Sequence, residues 1–422
     1  MWWKNTVIYE LYVDKFANNF AGLTNNLDYL KNLGVTAIHV LPHYPSPMID
    51  DGYDVSDYKN IWSELGTMND FDLFVKKAET MGIKVILDLV LNHASTSHPL
   101  FLEASADRNT AAHDMFIWSD TDTKYPLARN VLPQIKPSNW IWNENVGRYY
   151  FSTFYPQQAD FNWKNPLVMD YFLDIIDFWS RKGVDGFRID AAPYLIKEEG
   201  TNCVGLPGVH DILMKIRKHL DKEFPQVILL AEVHDKLPKM MKYFDKDHEC
   251  HLIYNFYLAE KMMLAFKRGD KKLFDKAVND SLVIPQNSAW ANFLRNHDEI
   301  SLTGLTDSEI NEITSHFDPE NKFHFNNHIA MRLSNLFGGD KNKIITAHEW
   351  LFSVPGAHVL YYGDEIGMEN LEIHADEDRR RVMRGHFNWS IANKEVRDPL
   401  SLYNAIRKII AKRKLWTEKA PT

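Results

Sequence analysis

Eight short apolar or β-branched runs, each followed by a stretch of helical amphipathic pattern, constrain the fold of this chain more than any other feature. The runs are Val7 to Leu11, Ala37 to Leu41, Val85 to Val90, Gly186 to Asp190, Val227 to Glu232, Leu252 to Phe256, Ala289 to Leu294 and His358 to Tyr362. Between them lie helical patterns such as Leu27 to Leu33, Phe71 to Met81, Val168 to Arg181, Val209 to Leu220, Ala259 to Val278 and Lys343 to Ser353, with a last one at Leu402 to Arg413. Apolar runs that do not alternate suit parallel strands covered on both faces, and eight βα units make a closed (β/α)8 TIM barrel, an α/β fold. An open doubly wound sheet has the same alternation. Against it, no Gly-x-Gly-x-x-Gly turn follows the first run and no Gly-Lys-Ser/Thr occurs, so a nucleotide cofactor has no cradle.

One interval breaks the rhythm. From Asn92 to about Asn165 no βα unit is visible, while Trp, Tyr, Pro and Asn abound. A stretch this long between two strands of a compact barrel reads as an inserted subdomain, 93–165, leaving 1–92 and 166–422 to the barrel. No repeat or linker is visible, and the charged cluster Asp376 to Arg381 is too short for a disordered tail.

Charge and cysteine content exclude several functions. With 48 basic against 57 acidic side chains, the net charge of −9 gives no basic field for nucleic acid or an anionic membrane. The start, Met1-Trp2-Trp3-Lys4-Asn5, has no secretory apolar stretch, and no run approaches a membrane span, so a soluble cytoplasmic protein is expected. Cys203 and Cys250, two in all, read as reduced structural thiols. The 12 Trp, 18 Tyr and 24 Phe exceed the needs of an aliphatic core and offer the flat faces that suit sugar rings.

In such a barrel the chemistry sits at the C-terminal ends of the strands. The third strand here ends in Asp88-Leu89-Val90-Leu91-Asn92-His93, the fourth in Arg188-Ile189-Asp190-Ala191-Ala192, the fifth in Ala231-Glu232-Val233-His234 and the seventh in Arg295-Asn296-His297-Asp298. A lone Asp at a strand end commonly caps the next helix. Four polar ends on one rim argue for a site instead. Paired carboxylates are what retaining glycoside cleavage needs, one as nucleophile and one as proton donor. Arg188, two residues before Asp190 and so on the same face, is expected to hold Asp190 ionised. Apolar walls around Glu232 would raise its pKa and keep it protonated. Asp298 can face the positive charge that develops on the sugar, and His93 and His297 can donate to its hydroxyls.

These four segments resemble the four signature regions of the α-amylase superfamily, glycoside hydrolase family 13, over essentially the whole chain. Gln158-Ala159-Asp160-Phe161-Asn162 resembles that family's fifth region, at the end of its inserted domain B, and Asp50-Asp51-Gly52-Tyr53-Asp54 its first-subsite loop. The resemblance implies Asp190 as nucleophile, Glu232 as acid/base and Asp298 as transition-state stabiliser, with Arg188, His93 and His297 around the glucosyl ring. It implies Tyr53 stacked under that ring and Asp50 closing the pocket. Read from turn chemistry alone, Asp50 to Tyr53 is an ordinary Asp-Gly turn. Arg379, Arg380, Arg381 and Arg384 read as a solvated knot. In related exo-acting enzymes an arginine of this loop pairs with the counterpart of Asp50, which makes Arg381 or Arg384 the substrate-binding candidate, with the choice between them open.

Within the family, Asp190 to Leu195, Glu199 to Cys203, Phe293 to Glu299 and Tyr361 to Met368 are most similar to trehalose synthases and related α-glucosidases. Ala231-Glu232-Val233-His234-Asp235 is closer to hydrolytic members. The resemblance thus implies a retaining enzyme on small α-glucosides or α-glucans, with hydrolysis ahead of the alternative, isomerisation of maltose to trehalose. A non-catalytic sugar-binding barrel is the alternative of another class. The family's C-terminal β-sandwich has no counterpart before the chain ends. No cofactor is required by this reading, and oligomeric state is left open. Calcium is in question: Asn92 and Asp160 match ligand positions, as would the carbonyls of Tyr194 and Leu195, but Lys197 stands where a coordinating carboxylate is usual. An ammonium repels calcium, so Lys197 is expected either to take the ion's place or to lie solvated on its loop.

Overall fold

In the computed structural model, which describes residues 1–325, 328–372 and 378–417, eight parallel strands close into a barrel. They are β1 (Val7–Leu11), β2 (Ala37–Val40), β3 (Lys84–Leu89), β4 (Gly186–Ile189), β5 (Ile228–Ala231), β6 (Leu252–Tyr254), β7 (Ala289–Phe293) and β8 (Ala357–Tyr361). Each pairs with its neighbours in sequence, and β8 returns to β1. Every strand expected from the sequence is present, shifted by no more than two residues at either end. Nearly every strand residue is buried, as a sheet covered by helices outside and filled by side chains inside requires. Among the described residues no helix is long and apolar enough to cross a membrane. Asp376 and Glu377 of the charged cluster lie outside the described residues.

The outer helices follow from local signals. Pro166–Arg181 starts where the Asn165 side chain accepts from Leu167 N–H, and it buries Val168, Phe172, Ile175, Ile176 and Trp179 along one stripe. Met68–Thr80 opens on a reciprocal capping box between Thr67 and Asp70. One expectation is corrected: Ala259 to Val278 is two helices, Phe256–Arg268 and Lys271–Asp280. Gly269 turns left-handed at φ 64° and ends the first, and the Asp270 carboxylate accepts from Lys272 and Leu273 N–H to start the second.

Between β3 and β4 the chain builds an antiparallel sheet from Trp118–Ser119, Arg148–Phe151 and Trp140–Asn143, and pairs His93–Ser95 with Gln158–Asp160. Phe101, Trp118 and Tyr150 pack its interior, while Phe154 and Tyr155 reach the barrel mouth. The sequence pattern showed one excursion, and the structure has a second. After β7 come the helix Asp307–Phe317 and the short strands His324–Phe325 and His328–Ile329, and Phe325 and His328 of this segment reach the mouth. Strands of two residues are too short to show a period-two pattern, which hid this segment from the sequence.

Candidate active site

The cavity at the C-terminal mouth is lined by Asp50, Tyr53, His93, Asp190, Glu232, Asp298 and Arg380, with Phe154 and Tyr155 from the inserted segment and Phe325 and His328 from the second excursion. Of the residues singled out from the sequence, Arg188, His297, Arg381 and Arg384 do not line it. Arg188 and His297 lie directly beneath.

Arg188 organises the floor. Its Nη1 donates to Asp190 Oδ1 at 2.8 Å and to Asp88 Oδ1 at 2.7 Å, and its Nη2 lies 2.8 Å from Glu232 Oε2. Register places it there, since Arg188 on β4 is level with Asp88 on β3 and with Leu230 on β5, and Glu232 follows two residues later on the same face. The residue after Asp190 adds to the arrangement. Ala191 is left-handed at φ 45° and ψ 39°, a conformation costing roughly 1–3 kcal/mol, and it aims its N–H at Glu232 Oε2, 3.1 Å away. Glu232 Oε2 thus meets both the Arg188 guanidinium and the Ala191 N–H, while Oε1 lies 3.3 Å from His234 Nε2.

The charge states differ from those expected of the isolated pair. Burial raises Asp190 well above the usual carboxylate range; Arg188 opposes it, but Glu232, Asp88 and Asp298 add to the rise. Glu232 also meets burial, yet Arg188 and then His234 hold it down to about 2. One guanidinium serves three carboxylates and cannot hold all of them ionised. The shifts thus run opposite to the expected directions, with burial raising Asp190 and Arg188 lowering Glu232. Asp298 is held well below the usual range against its burial by His297, Arg380 and Arg384.

Tyr53 presents its ring to the cavity, and its hydroxyl donates to Asp88 Oδ2 at 3.0 Å and accepts from Arg188 Nη1 at 3.1 Å. Asp50 and Tyr53 do form the ordinary turn, with Tyr53 N–H donating to the Asp50 carbonyl at 2.9 Å. The Asp54 carboxylate fixes that loop by accepting from Ser46 Oγ and from the N–H groups of Ile49 and Asp50. His93 lies with Nε2 3.2 Å from the Tyr53 carbonyl, and burial pushes its pKa down to about 4, so its ring is neutral.

The arginine that meets Asp50 is Arg380, neither of the two expected. Its Nη2 lies 2.9 Å from Asp50 Oδ1 and its Nη1 3.2 Å from Asp298 Oδ1, with Asp378 Oδ2 2.6 Å from Nη2 as a backing counter-ion. Residues 379–383 form a tight 3₁₀ turn, capped by Asp378, which swings successive side chains apart. Arg381 therefore donates to the Ile49 carbonyl at 2.8 Å, and Arg384 binds Asp51 at 2.6 Å and Asp298 at 2.8 Å from outside the cavity. Sequence reasoning also missed His234, Glu299 and Phe325 as lining residues, whereas Phe154 and Tyr155 belong to the insertion aromatics expected to wall a sugar pocket.

Lys197 is buried, and its ammonium lies 2.7 Å from Asp160 Oδ2 and 3.1 Å from Asn92 Oδ1, and also donates to the Tyr194 carbonyl. The residues expected to bind calcium thus converge on a nitrogen. Calcium takes 6 to 8 oxygens, and it does not fit where Nζ stands. Lys197→Met, which leaves Asp160 buried without its counter-ion, is expected to destabilise the fold by about 3–5 kcal/mol, whereas a chelator should leave its melting temperature unchanged. Thermal melts with and without chelator check both.

With this geometry in place, similarity to known proteins is informative. The alpha-amylase catalytic-domain family model matches residues 14–402. The chain belongs to that family. It is 38% identical over 392 residues to the trehalose synthase/amylase TreS of Mycobacterium tuberculosis, covering 90% of this chain and 65% of the relative. It is 39% identical over 398 residues to a trehalose synthase of Thermus thermophilus, covering 92% of this chain and 41% of that protein. The chain therefore spans less than two thirds of the length of these relatives. In fold it matches the crystal structure of the α-glucosyl transfer enzyme XgtA with a TM-score of 0.80 and 24% identity, over 98% of this chain and 84% of that one. The cavity at the barrel mouth thus lies within an alpha-amylase catalytic domain.

Proposed function

We propose that the chain is a retaining enzyme that transfers the terminal glucosyl unit of a small α-glucoside, through a glucosyl ester on Asp190, to water or to a second sugar. The observation that carries this reading is the shared guanidinium. Asp190 and Glu232 both bind Arg188, an arrangement suited to a retaining pair with carboxyls roughly 5 Å apart rather than an inverting pair at roughly 6.5–9.5 Å.

Asp190 attacks the anomeric carbon while Glu232 gives its proton to the leaving oxygen. Oε1 is the oxygen free to do so, because Oε2 is taken by Arg188 and Ala191 N–H. The reaction needs Asp190 ionised and Glu232 protonated, and the positive charge that develops at the anomeric carbon favours an ionised Asp190. Asp298, held well below the usual carboxylate range by His297, Arg380 and Arg384, faces the same charge. The ion pair of Asp50 and Arg380 closes the far end and suits a non-reducing terminus, which makes a small substrate the better fit.

A second reading, isomerisation of maltose to trehalose, is favoured by the identity to trehalose synthases. Incubation with maltose, trehalose, sucrose and longer α-glucans, followed by proton NMR of the products, separates the readings. Glucose released first as the α-anomer supports hydrolysis with retention, and trehalose formed from maltose selects the isomerase. Release of the β-anomer, or maltose binding without turnover of any of these sugars, would overturn the proposal.

A further inference from the structure

Beneath the cavity floor a closed ring of buried polar side chains joins Glu10, His39 and Tyr254, which neither the motifs nor the reaction above account for, to Asp88, Tyr53 and His297. Glu10 stands one residue before the end of β1 with no solvent exposure, where an unpaired carboxylate would cost several kcal/mol. Four donors meet it. Its Oε1 accepts the backbone N–H of His297 at 2.8 Å and lies 3.0 Å from His297 Nδ1. Its Oε2 accepts the Tyr254 hydroxyl at 2.7 Å and lies 3.2 Å from His39 Nδ1. Against full burial, His297 and His39 keep Glu10 well below the usual carboxylate range. From His39 the ring continues through Nε2 to Asp88 Oδ2 at 3.3 Å, through Asp88 to the Tyr53 hydroxyl at 3.0 Å, and from that hydroxyl to His297 Nε2 at 2.6 Å.

A carboxylate facing Nδ1 requires a proton there, and binding the same residue's backbone N–H with the same oxygen pins the ring to its strand end. His297 Nε2 is then left facing the Tyr53 hydroxyl and Asp298 Oδ2, the latter at 3.3 Å, and both of those residues line the cavity. We propose that Glu10 is a positioning residue of the glucosyl-transfer site, which fixes the tautomer and orientation of His297 and, through it, the Tyr53 hydroxyl and the Asp298 carboxylate. The logic is that of a buried carboxylate orienting a functional imidazole. It rests on the retaining reading given above.

A double-mutant cycle in the full chain tests it, with maltose as substrate. Glu10→Gln keeps the volume and is expected to lower kcat about 10- to 100-fold with KM within about threefold, the usual range for residues that orient a functional ligand. His297→Gln should lose at least as much, and the double variant no more than His297→Gln alone. Losses that multiply in the double variant, or an unchanged kcat in Glu10→Gln, overturn the proposal. Should Glu10→Gln fail to fold, Tyr254→Phe removes one donor to Glu10 without touching the cavity. It is expected to lower kcat about three- to tenfold in the native background and not in His297→Gln, and equal losses in both count against the proposal. Imidazole NMR of ¹⁵N-histidine-labelled protein reads the geometry without turnover: a His297 proton on Nδ1 is expected, and a proton on Nε2 alone refutes the positioning. If no α-glucoside is turned over while the Nδ1 proton is present, the functional reading fails and the orientation of His297 by Glu10 stands.

Discussion

Asp190→Asn is expected to lower kcat on maltose by about 10⁴-fold, a loss of about 5 kcal/mol of transition-state stabilisation, with a far smaller change in KM. The amide keeps the shape and still offers Arg188 an oxygen, so the pocket should survive, but an amide cannot form the glucosyl ester. Glu232→Gln is expected to be as slow on maltose and to differ in its dependence on the leaving group. An aryl α-glucoside whose phenolate departs without a proton should recover much of the rate of the Glu232 variant in the first step, and none of the rate of the Asp190 variant. Steady-state kinetics on both substrates decide the assignment. Near-native turnover in either variant, or rescue of Asp190→Asn in place of Glu232→Gln, would show the roles to be wrong.

The second large effect is cooperative acid unfolding confined to pH values below about 4.5. Burial pushes His43, His251 and His328 down to about 3 and His93, His98 and His348 to about 4. Each folded value lies below the unfolded one, near 6.5. The stability each contributes is therefore complete above pH 6.5 and is lost at about 1.4 kcal/mol per pH unit as pH falls toward the folded value. Buried carboxyls run the other way. Burial raises Glu260, Glu299 and Glu365 to about 7 and Asp50 and Asp364 to about 6, so the folded state takes up their protons first and gains stability as pH falls from 7 to about 4.5. The two sets nearly cancel over that window. Below it the carboxyl gain stops, the histidine loss continues, and Asp88, Asp298 and Glu232, whose folded values are depressed, begin to lose their contribution as well. Denaturant midpoints should stay level from pH 7 to 5 and collapse between about 4.5 and 3. A steady decline beginning at pH 7, or a folded protein at pH 3, would contradict this balance. His43→Phe should extend the acid range, since neither ring nitrogen of His43 has a hydrogen-bond partner among the described residues and the ring stacks on Phe71 at 5.8 Å.

Much of the architecture was legible because strand and helix patterning depend on neighbours a few residues apart. The two-helix break at Gly269-Asp270 was also written locally, as a helix-ending glycine followed by a capping aspartate, and was overlooked in a run of helix-forming residues. The second excursion after β7 was not legible, because its strands are two residues long and hold together through tertiary contacts such as the bridge of Ile300 to Ile329. Glu10 and His39 stood in plain view as charged or ionisable residues inside apolar strand runs. A buried Glu in a strand demands partners. Their identity could not be read, since they come from β2, β6 and the end of β7.

The sequence by itself determined the barrel, its inserted segment, the strand-end carboxylates and the family, because periodicity and short motifs are properties of contiguous residues. Only the tertiary structure decided which of four neighbouring arginines meets Asp50, that an ammonium holds the place expected of calcium, and that Asp190 and Glu232 share one guanidinium with Asp88. Each of these depends on distances between groups far apart in the chain and on a buried, low-dielectric setting in which one guanidinium must be divided among three carboxylates. Coulomb energy in that setting changes by kcal/mol over an ångström, and no spacing in the sequence carries that information.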